Sequence, residues 1–454
     1  MAPCKNAHPM TSPRTLVLFN YDWDRIGFGR CAQDFPCDTD GFDLFSFPSN
    51  ARLAFFDQNR YIDRLVKKAQ RAGWQAVVSN HEQFGALAAA LLAERMGWPG
   101  TPVHAVLACQ HKLHARQVLQ EVCPESNTSF APLSARYGDP APDGLSYPLF
   151  IKPVKAAFSV LARTVRSRAE LHALTRFGAW ELWVIRHLVE PFERIVRQRL
   201  PAAGTAHRML IEASITGQQY NLDGYVFNGE MRALGIIEAV MYPGTNAFMR
   251  FDYPCQLAAE GRDKALDVAQ RFLAAVGFTH GLFNMEFFYD AATGKLTVIE
   301  FNPRMAAQFS DLYLRVDGID PHRIALELAH GRDPAPLPRA VPTAGMATSL
   351  VYRVFDRRPP PQPTIARQED FQRVFPDALL FMFPKPRGSM ARDFKWLGSY
   401  RYGIVHLGGR DAAELRARCE EASRIIGWPS PCAQHTMPAP EPGRSAPQLG
   451  LEAS

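Results

Sequence analysis

Glu286, Glu300, Asn302 and Arg304 are the side chains whose types and spacing most directly suggest chemistry. Residues 281–290 and 295–302 alternate apolar or aromatic positions with Asn284, Glu286, Glu300 and Asn302, and Thr293-Gly294 supplies turn residues between them. That period of two predicts two strands of a hairpin. A carboxylate inside an otherwise apolar strand is costly to desolvate unless something positive meets it. Two carboxylates and an amide oxygen are hard donors suited to Mg2+ or Mn2+, ions that keep waters and bridge to substrate phosphates. Arg304 stands beside them; its guanidinium keeps its proton and can stabilise charge on a transferring phosphoryl group. The competing reading is a pair of solvated acids on an exposed sheet face.

A shared cation makes a geometric demand. If Asp290 pairs with Lys295 across the Ala-Ala-Thr-Gly turn in an unbroken ladder, Glu286 opposes Ile299, and Glu300 points to the other side of the sheet. The two acids share a face only with an odd loop or a bulge. The sequence places that bulge near residues 291–295, where Gly294 tolerates a positive φ.

The rest of the chain must position these groups. At 454 residues it exceeds one core, so roughly two to four structural units are expected. With 47% hydrophobic and 21% charged residues it is globular. No apolar run reaches membrane-spanning length, and residues 1–12, with Pro3, Lys5, His8 and Pro9, lack the apolar centre of a signal peptide. A cytoplasmic protein without a membrane partner is the expectation. Eight cysteines without any C-x-x-C predict free thiols rather than a zinc site or redox pair. The formal charge of +6 is spread among acids and forms no long basic run, which argues against nucleic acid.

In order, residues 14–19 and 74–78 read as buried strands, and residues 61–72 and 81–96 as helices, the second closed by Gly97. They make a Rossmann-like α/β layer over 13–105. Gly27-x-Gly29-x-x-Ala32 is not a dinucleotide fingerprint, because the region is polar and irregular, with Pro36 following. A basic helix near 109–119 carries Lys112 and Arg116 on one face. An apolar strand ends at Lys152, helices cross 169–197, strands follow from 208, and a helix spans 261–276. Residues 238–254 read as an aromatic loop suited to substrate selection, where Arg250 could fork a carboxylate. A helix over 321–331 and a Pro-rich linker over 334–342 precede a mixed α+β segment over 343–428, and disorder is expected at 1–12 and 429–454.

The pattern Glu300-x-Asn302-x-Arg304 after an apolar strand, with Glu286 one strand earlier, resembles the metal-binding end of the ATP-grasp superfamily. Separate motifs in the expected order carry the resemblance across roughly residues 14–428. It implies a Rossmann-like N-terminal domain, a two-lobed α+β ATP-grasp domain over 106–335 with lobes near 121–210 and 211–335, and a small C-terminal α+β subdomain. By the resemblance, Lys112 contacts phosphate, Arg116 supports it, and Lys152 is the strand lysine that meets the α- and β-phosphates. Lys155 and Ser159 lie in the loop that follows, which lacks the usual glycines. Glu212 falls near the nucleotide, the Ala213 carbonyl and Ile215 amide read adenine, and Gln219 stands where relatives often carry Glu. Glu286, Glu300 and Asn302 hold the metal, Arg304 and Lys152 are catalytic, and Arg250, Asn246 and Arg304 face substrate. A positive pocket for ATP also accounts for the excess charge.

The implied activity is that of an ATP-dependent carboxylate–amine ligase using ATP and Mg2+ or Mn2+, with a small-molecule carboxylate and an amine as partners. It would form an amide, dipeptide-like in the narrowest version, through an acyl phosphate, releasing ADP and phosphate. A homodimer is compatible with the resemblance. The alternatives are an acyl-CoA synthetase or phosphotransferase of the same fold, and an ATP-binding module without turnover.

Overall fold

Three sheets organise the chain in the computed structural model, which describes residues 13–44, 49–133, 145–156, 161–356, 360–385, 390, 394 and 397–431. Ser159, the N-terminal stretch 1–12 and the tail from 432 to 454 lie outside the described residues.

The first sheet is parallel, with β1 (Arg14–Leu18) between β2 (Cys37–Asp40) and β3 (Trp74–Val78). Its central strand is buried from Thr15 to Leu18, which is why the run is continuously apolar instead of alternating. Helices α1 (Asp22–Arg30), α2 (Gln58–Ala72) and α3 (Gly85–Met96) accompany it. Two expectations are corrected here. The stretch read as polar and irregular forms α1 and β2, and Gly27 lies inside that helix. A Cβ at Gly27 would come within 2.1 Å of the His322 ring, so this glycine serves close packing and not a phosphate. The helix read from His81 begins only at Gly85, and the turn before it leaves His81 and Glu82 outside the helix.

The expected helix near 109–119 is two helices, α4 (Val103–Gln110) and α5 (Lys112–Val122), separated at His111. The His111 Nδ1 accepts from the His114 amide at 3.2 Å and caps α5, which sets Lys112 at the first helical position. The second sheet is antiparallel, with β4 (Phe130–Pro132), β5 (Leu149–Pro153), β6 (Arg163–Val165) and β7 (Met209–Glu212) in the order β4-β7-β5-β6. It is accompanied by α6 (Arg168–Thr175) and α7 (Ala179–Arg199).

The third sheet carries the hairpin at its edge. Its strands are β8 (Gln218–Phe227), β9 (Glu230–Met241), β10 (Phe248–Tyr253), β11 (Gly281–Asp290), β12 (Lys295–Asn302), β13 (Met346–Val354), β14 (Leu379–Met382) and β15 (Tyr400–Gly409). The order is β12-β11-β8-β9-β10-β13-β15-β14, so the strands after the Pro-rich linker extend this sheet instead of building one of their own. Residues 238–254 are mostly strand, with only 242–247 left as a connection between β9 and β10.

Side-chain alternation then divides the two faces at the β12 edge. Phe283, Met285, Phe287 and Phe301 pack on α8 (Ala259–Ala275), where Phe301 stacks on Phe272 with centroids 3.9 Å apart. Asn284, Glu286, Glu300 and Asn302 therefore turn to the opposite face. Helices α9 (Ser310–Asp317) and α10 (Pro321–Ala329) share a core with residues of both the first and third sheets, while α11 (Ile365–Val374) and α12 (Ala412–Ile426) pack with β13 and β15. Cys31, Cys37, Cys109, Cys123, Cys255 and Cys419 are free thiols. Among the described residues, no helix is long and apolar enough to cross a membrane.

Candidate functional site

In the hairpin ladder Asp290 pairs with Lys295, and Glu286 pairs directly with Glu300. Both statements hold because the register shifts between Glu286 and Phe287: Phe287 pairs with Val298, which leaves Ile299 as the extra residue of a bulge. The required bulge exists, but beside the acids and not at the turn. Its cause is visible in what holds it. The Ile299 carbonyl accepts from Lys152 Nζ at 3.2 Å and Arg116 Nη2 at 3.1 Å, and the Val298 carbonyl accepts from Arg116 Nη1 at 2.7 Å. Buried cations from α5 and β5 thus supply the partners that a regular ladder would have supplied.

Those cations share one counter-ion. Glu212, at the end of β7, sits 2.6 Å from Arg116 Nε and 2.9 Å from Lys152 Nζ, with all three side chains almost wholly buried. Burial alone would raise the Glu212 carboxyl, but Arg116 and Lys152 hold it below its ordinary value. Burial lowers Lys152, against the attraction of Glu212. Arg116 and Lys152 are thus both built into the packing of this corner through Glu212.

Lys112 closes the other side. Its Nζ lies 2.9 Å from Glu300 Oε2 and donates to the Ala156 carbonyl at 3.0 Å. The paired acids respond in opposite directions. Burial, then the neighbouring Glu300, pushes Glu286 up to about 7. Burial would raise Glu300 as well, but Lys112 and Lys152 hold it below the usual carboxylate range. Gln219 Nε2 donates to Glu286 Oε2 at 3.1 Å, so the position where a third acid was expected in relatives supplies an amide hydrogen bond here.

Two carboxylates forced to face each other on a polar sheet face are a site that a divalent cation would relieve. Asn302 stands two residues beyond, 3% exposed, with Nδ2 donating to Asn284 Oδ1 at 3.1 Å and Glu286 Oε1 at 3.4 Å. Its amide must turn over to present oxygen to an ion. No group of three or more His, Cys, Asp or Glu that could hold a metal occurs among the described residues. Two acids and one amide fit an ion that takes its remaining ligands from water and phosphate, which is the habit of Mg2+.

Arg304 follows β12 in a loop whose Ala306 amide donates to Asp223 Oδ1 at 3.0 Å, while Asp223 Oδ2 accepts from the Tyr313 hydroxyl at 2.9 Å. Burial pushes Asp223 up to about 6. Arg304 Nε donates to Glu82 Oε2 at 3.0 Å. Lys155 comes to the same acid, with Nζ donating to the Glu82 carbonyl at 3.2 Å. His81 stacks between Phe19 and Tyr21 close by, and burial together with Lys155 and Arg304 keeps its ring neutral, down to about 3.

The structure therefore gathers Lys112, Arg116, Lys152, Lys155, Glu212, Gln219, Glu286, Glu300, Asn302 and Arg304. Ala213 and Ile215 follow β7 directly, and Ala213 donates its amide to the Ser129 carbonyl at 3.0 Å while its own carbonyl accepts from Thr128 Oγ1 at 3.4 Å. Arg250 lies on β10, separated from β11 by two strands, and its Nε donates to Asp252 Oδ2 at 2.7 Å. Asn246 lies in the 242–247 connection between β9 and β10. Sequence reasoning missed Glu82, His81 and Asp223. An acid immediately after a buried strand and ahead of an alanine-rich helix was the available signal for Glu82; Asp223 alternates with Gln219 and Asn221 along β8.

Residues 145–311 match the ATP-grasp domain family. The D-alanine–D-alanine ligase of a Synechococcus strain is 30% identical over 168 residues, which is 36% of this chain and 42% of that protein, so the match spans less than half of that curated relative. The crystal structure of an L-amino acid ligase from Bacillus licheniformis superposes with a TM-score of 0.65 at 16% identity, covering 91% of this chain and 97% of that one. The carboxyaminoimidazole ribonucleotide synthase of an Aspergillus, solved with ATP, gives 0.60 at 13% identity, covering 92% and 98%. Residues 145–311 thus carry the match to the ATP-grasp domain family, and about nine-tenths of the chain shares its fold with the solved L-amino acid ligase.

Proposed function

We propose that this protein is an ATP-dependent ligase that joins a small carboxylate to an amine through an acyl phosphate, releasing ADP and phosphate. The observation that carries the reading is the opposition of Glu286 and Glu300 on one sheet face, ringed by Lys112, Lys152 and Arg304. Similar proteins named as a D-alanine–D-alanine ligase and an L-amino acid ligase support it.

A carboxylate is a poor acyl donor because its oxygen is a poor leaving group; phosphorylation by the γ-phosphate of ATP turns that oxygen into part of phosphate. Glu286, Glu300 and Asn302 would hold Mg2+ or Mn2+, which neutralises developing phosphoryl charge when bound. Lys112 and Lys152 supply positive charge to the phosphates, and the Glu212 pair holds Lys152 in place. Arg304, aimed by Glu82, meets the acyl side, where charge collects as the phosphate forms and leaves. The Ala213 and Ile215 backbone groups after β7 would read the base.

The test is a screen of paired acid and amine pools for ADP and phosphate. Turnover that needs both an acid and an amine supports the ligase; turnover with acid and CoA, or with acid alone, contradicts it. Replacing Lys152 by alanine should weaken binding of a non-hydrolysable ATP analogue by roughly 1.5–3 kcal/mol, the worth of a charge-assisted contact. Calorimetry reads the affinity. Because Lys152 also neutralises Glu212, the variant should lose stability too, unlike a purely ligand-facing residue.

A further inference from the structure

Glu82 belongs to neither lobe that carries the residues discussed above. It sits in the turn between β3 and α3, 5% exposed, yet it touches groups from two other sheets. Oε2 accepts from Arg304 Nε at 3.0 Å, in the loop after β12. Oε1 lies 3.8 Å from Lys155 Nζ, in the segment after β5, and the Glu82 carbonyl accepts from the same Nζ at 3.2 Å. Gln110 of α4 fixes this acid from behind, donating to its carbonyl at 2.8 Å and to Oε1 at 3.1 Å. The helix does not need the acid: the residue that caps α3 is Phe84, without a side-chain bond.

We propose that Glu82 is a positioning residue that holds Arg304 and Lys155 at a fixed separation, so that the first sheet sets the spacing between the acyl-side guanidinium and the phosphate-side ammonium. The inference rests on the nucleotide-binding reading above. A buried carboxylate shared by two cations from different sheets is worth its desolvation only when both are held. Its removal would free each to follow its own segment.

Lys155 gives the arrangement a readout that packing alone would not move. Burial pushes its ammonium down to about 8; Glu82 and Glu300 oppose that shift, while Lys112 and Arg304 add to it. His81 is neutral in this range, and the Phe192 ring of α7 lies 4.8 Å from Nζ. Without the Glu82 charge the lysine must lose its proton at lower pH, because its remaining neighbours favour the neutral form more.

The experiment is calorimetric titration of the full chain with Mg2+ and a non-hydrolysable ATP analogue between pH 6.5 and 9. Wild-type affinity should fall above about pH 8. In Glu82→Gln the fall should begin about one unit lower, giving roughly fivefold weaker binding at pH 8 and near-normal binding at pH 6.5. A Glu82→Gln, Lys155→Arg double variant should lose the alkaline fall in affinity, since arginine does not titrate there, and keep only the acid-side dependence that Glu286 gives the wild type. Identical profiles in wild type and Glu82→Gln, or a uniform loss at every pH, would overturn the proposal. A wild-type chain that does not bind the analogue would instead overturn the nucleotide reading.

Discussion

Replacing Arg304 by alanine is expected to lower turnover about 10²–10³-fold with little change in the KM for ATP. Removal of one preorganised donor at a developing charge costs about that much. Arg304 is one of five cations at this corner; Lys112, Lys152 and Lys155 remain there in the variant, and in the proposed reading they are what the phosphates meet. Glu82 would keep Gln110 at 3.1 Å, so the fold around the turn should survive. Lysine at 304 retains charge but not the fork, and should recover only part of the rate. Steady-state ADP release with a productive acid and amine pair measures the effect. Wild-type turnover in Arg304→Ala would remove this residue from the chemistry.

The second large effect is structural. Glu212→Ala should destabilise the chain by about 3–5 kcal/mol, because it leaves Arg116 and Lys152 buried side by side without their shared counter-ion. Both cations also hold the carbonyl of Ile299, so the bulge should loosen and the cation site should weaken with it. Urea denaturation reads the first consequence and Mn2+ titration the second. The pH dependence has a definite sign. The folded carboxyl lies below its ordinary value of 4.5, so its stabilisation is complete above that value and fades as pH falls through the folded one. Wild type and Glu212→Gln should therefore converge in acid. A loss under about 1 kcal/mol at pH 7 would show that this buried trio contributes little.

These two predictions also mark what the sequence can carry. The strands of the hairpin, the acids on it and the order of the lysines were legible because each interrupts an apolar run where a charge is costly. The faces of Glu286 and Glu300 were not. Period-two alternation specifies only which residues share a face along one strand, and the register across strands depends on a bulge held by Arg116 and Lys152 from distant segments. For the same reason the pairing of Arg116 and Lys152 was not legible: their shared partner, Glu212, lies far along the chain on another strand. Glu82 was invisible because its two cations come from elements more than 70 residues away. The surroundings of Arg250 were likewise hidden, since residues 248–253 form a strand where a loop was expected and only the structure places Asp252 against the guanidinium.

In the proposed mechanism the carboxylate attacks the γ-phosphate before the amine attacks carbon. Supplying the acid with both carboxylate oxygens labelled as 18O and weighing the released phosphate tests that step directly. The acyl phosphate route transfers one labelled oxygen to each phosphate formed, alongside unlabelled ADP. Unlabelled phosphate, or label found in AMP, would contradict it.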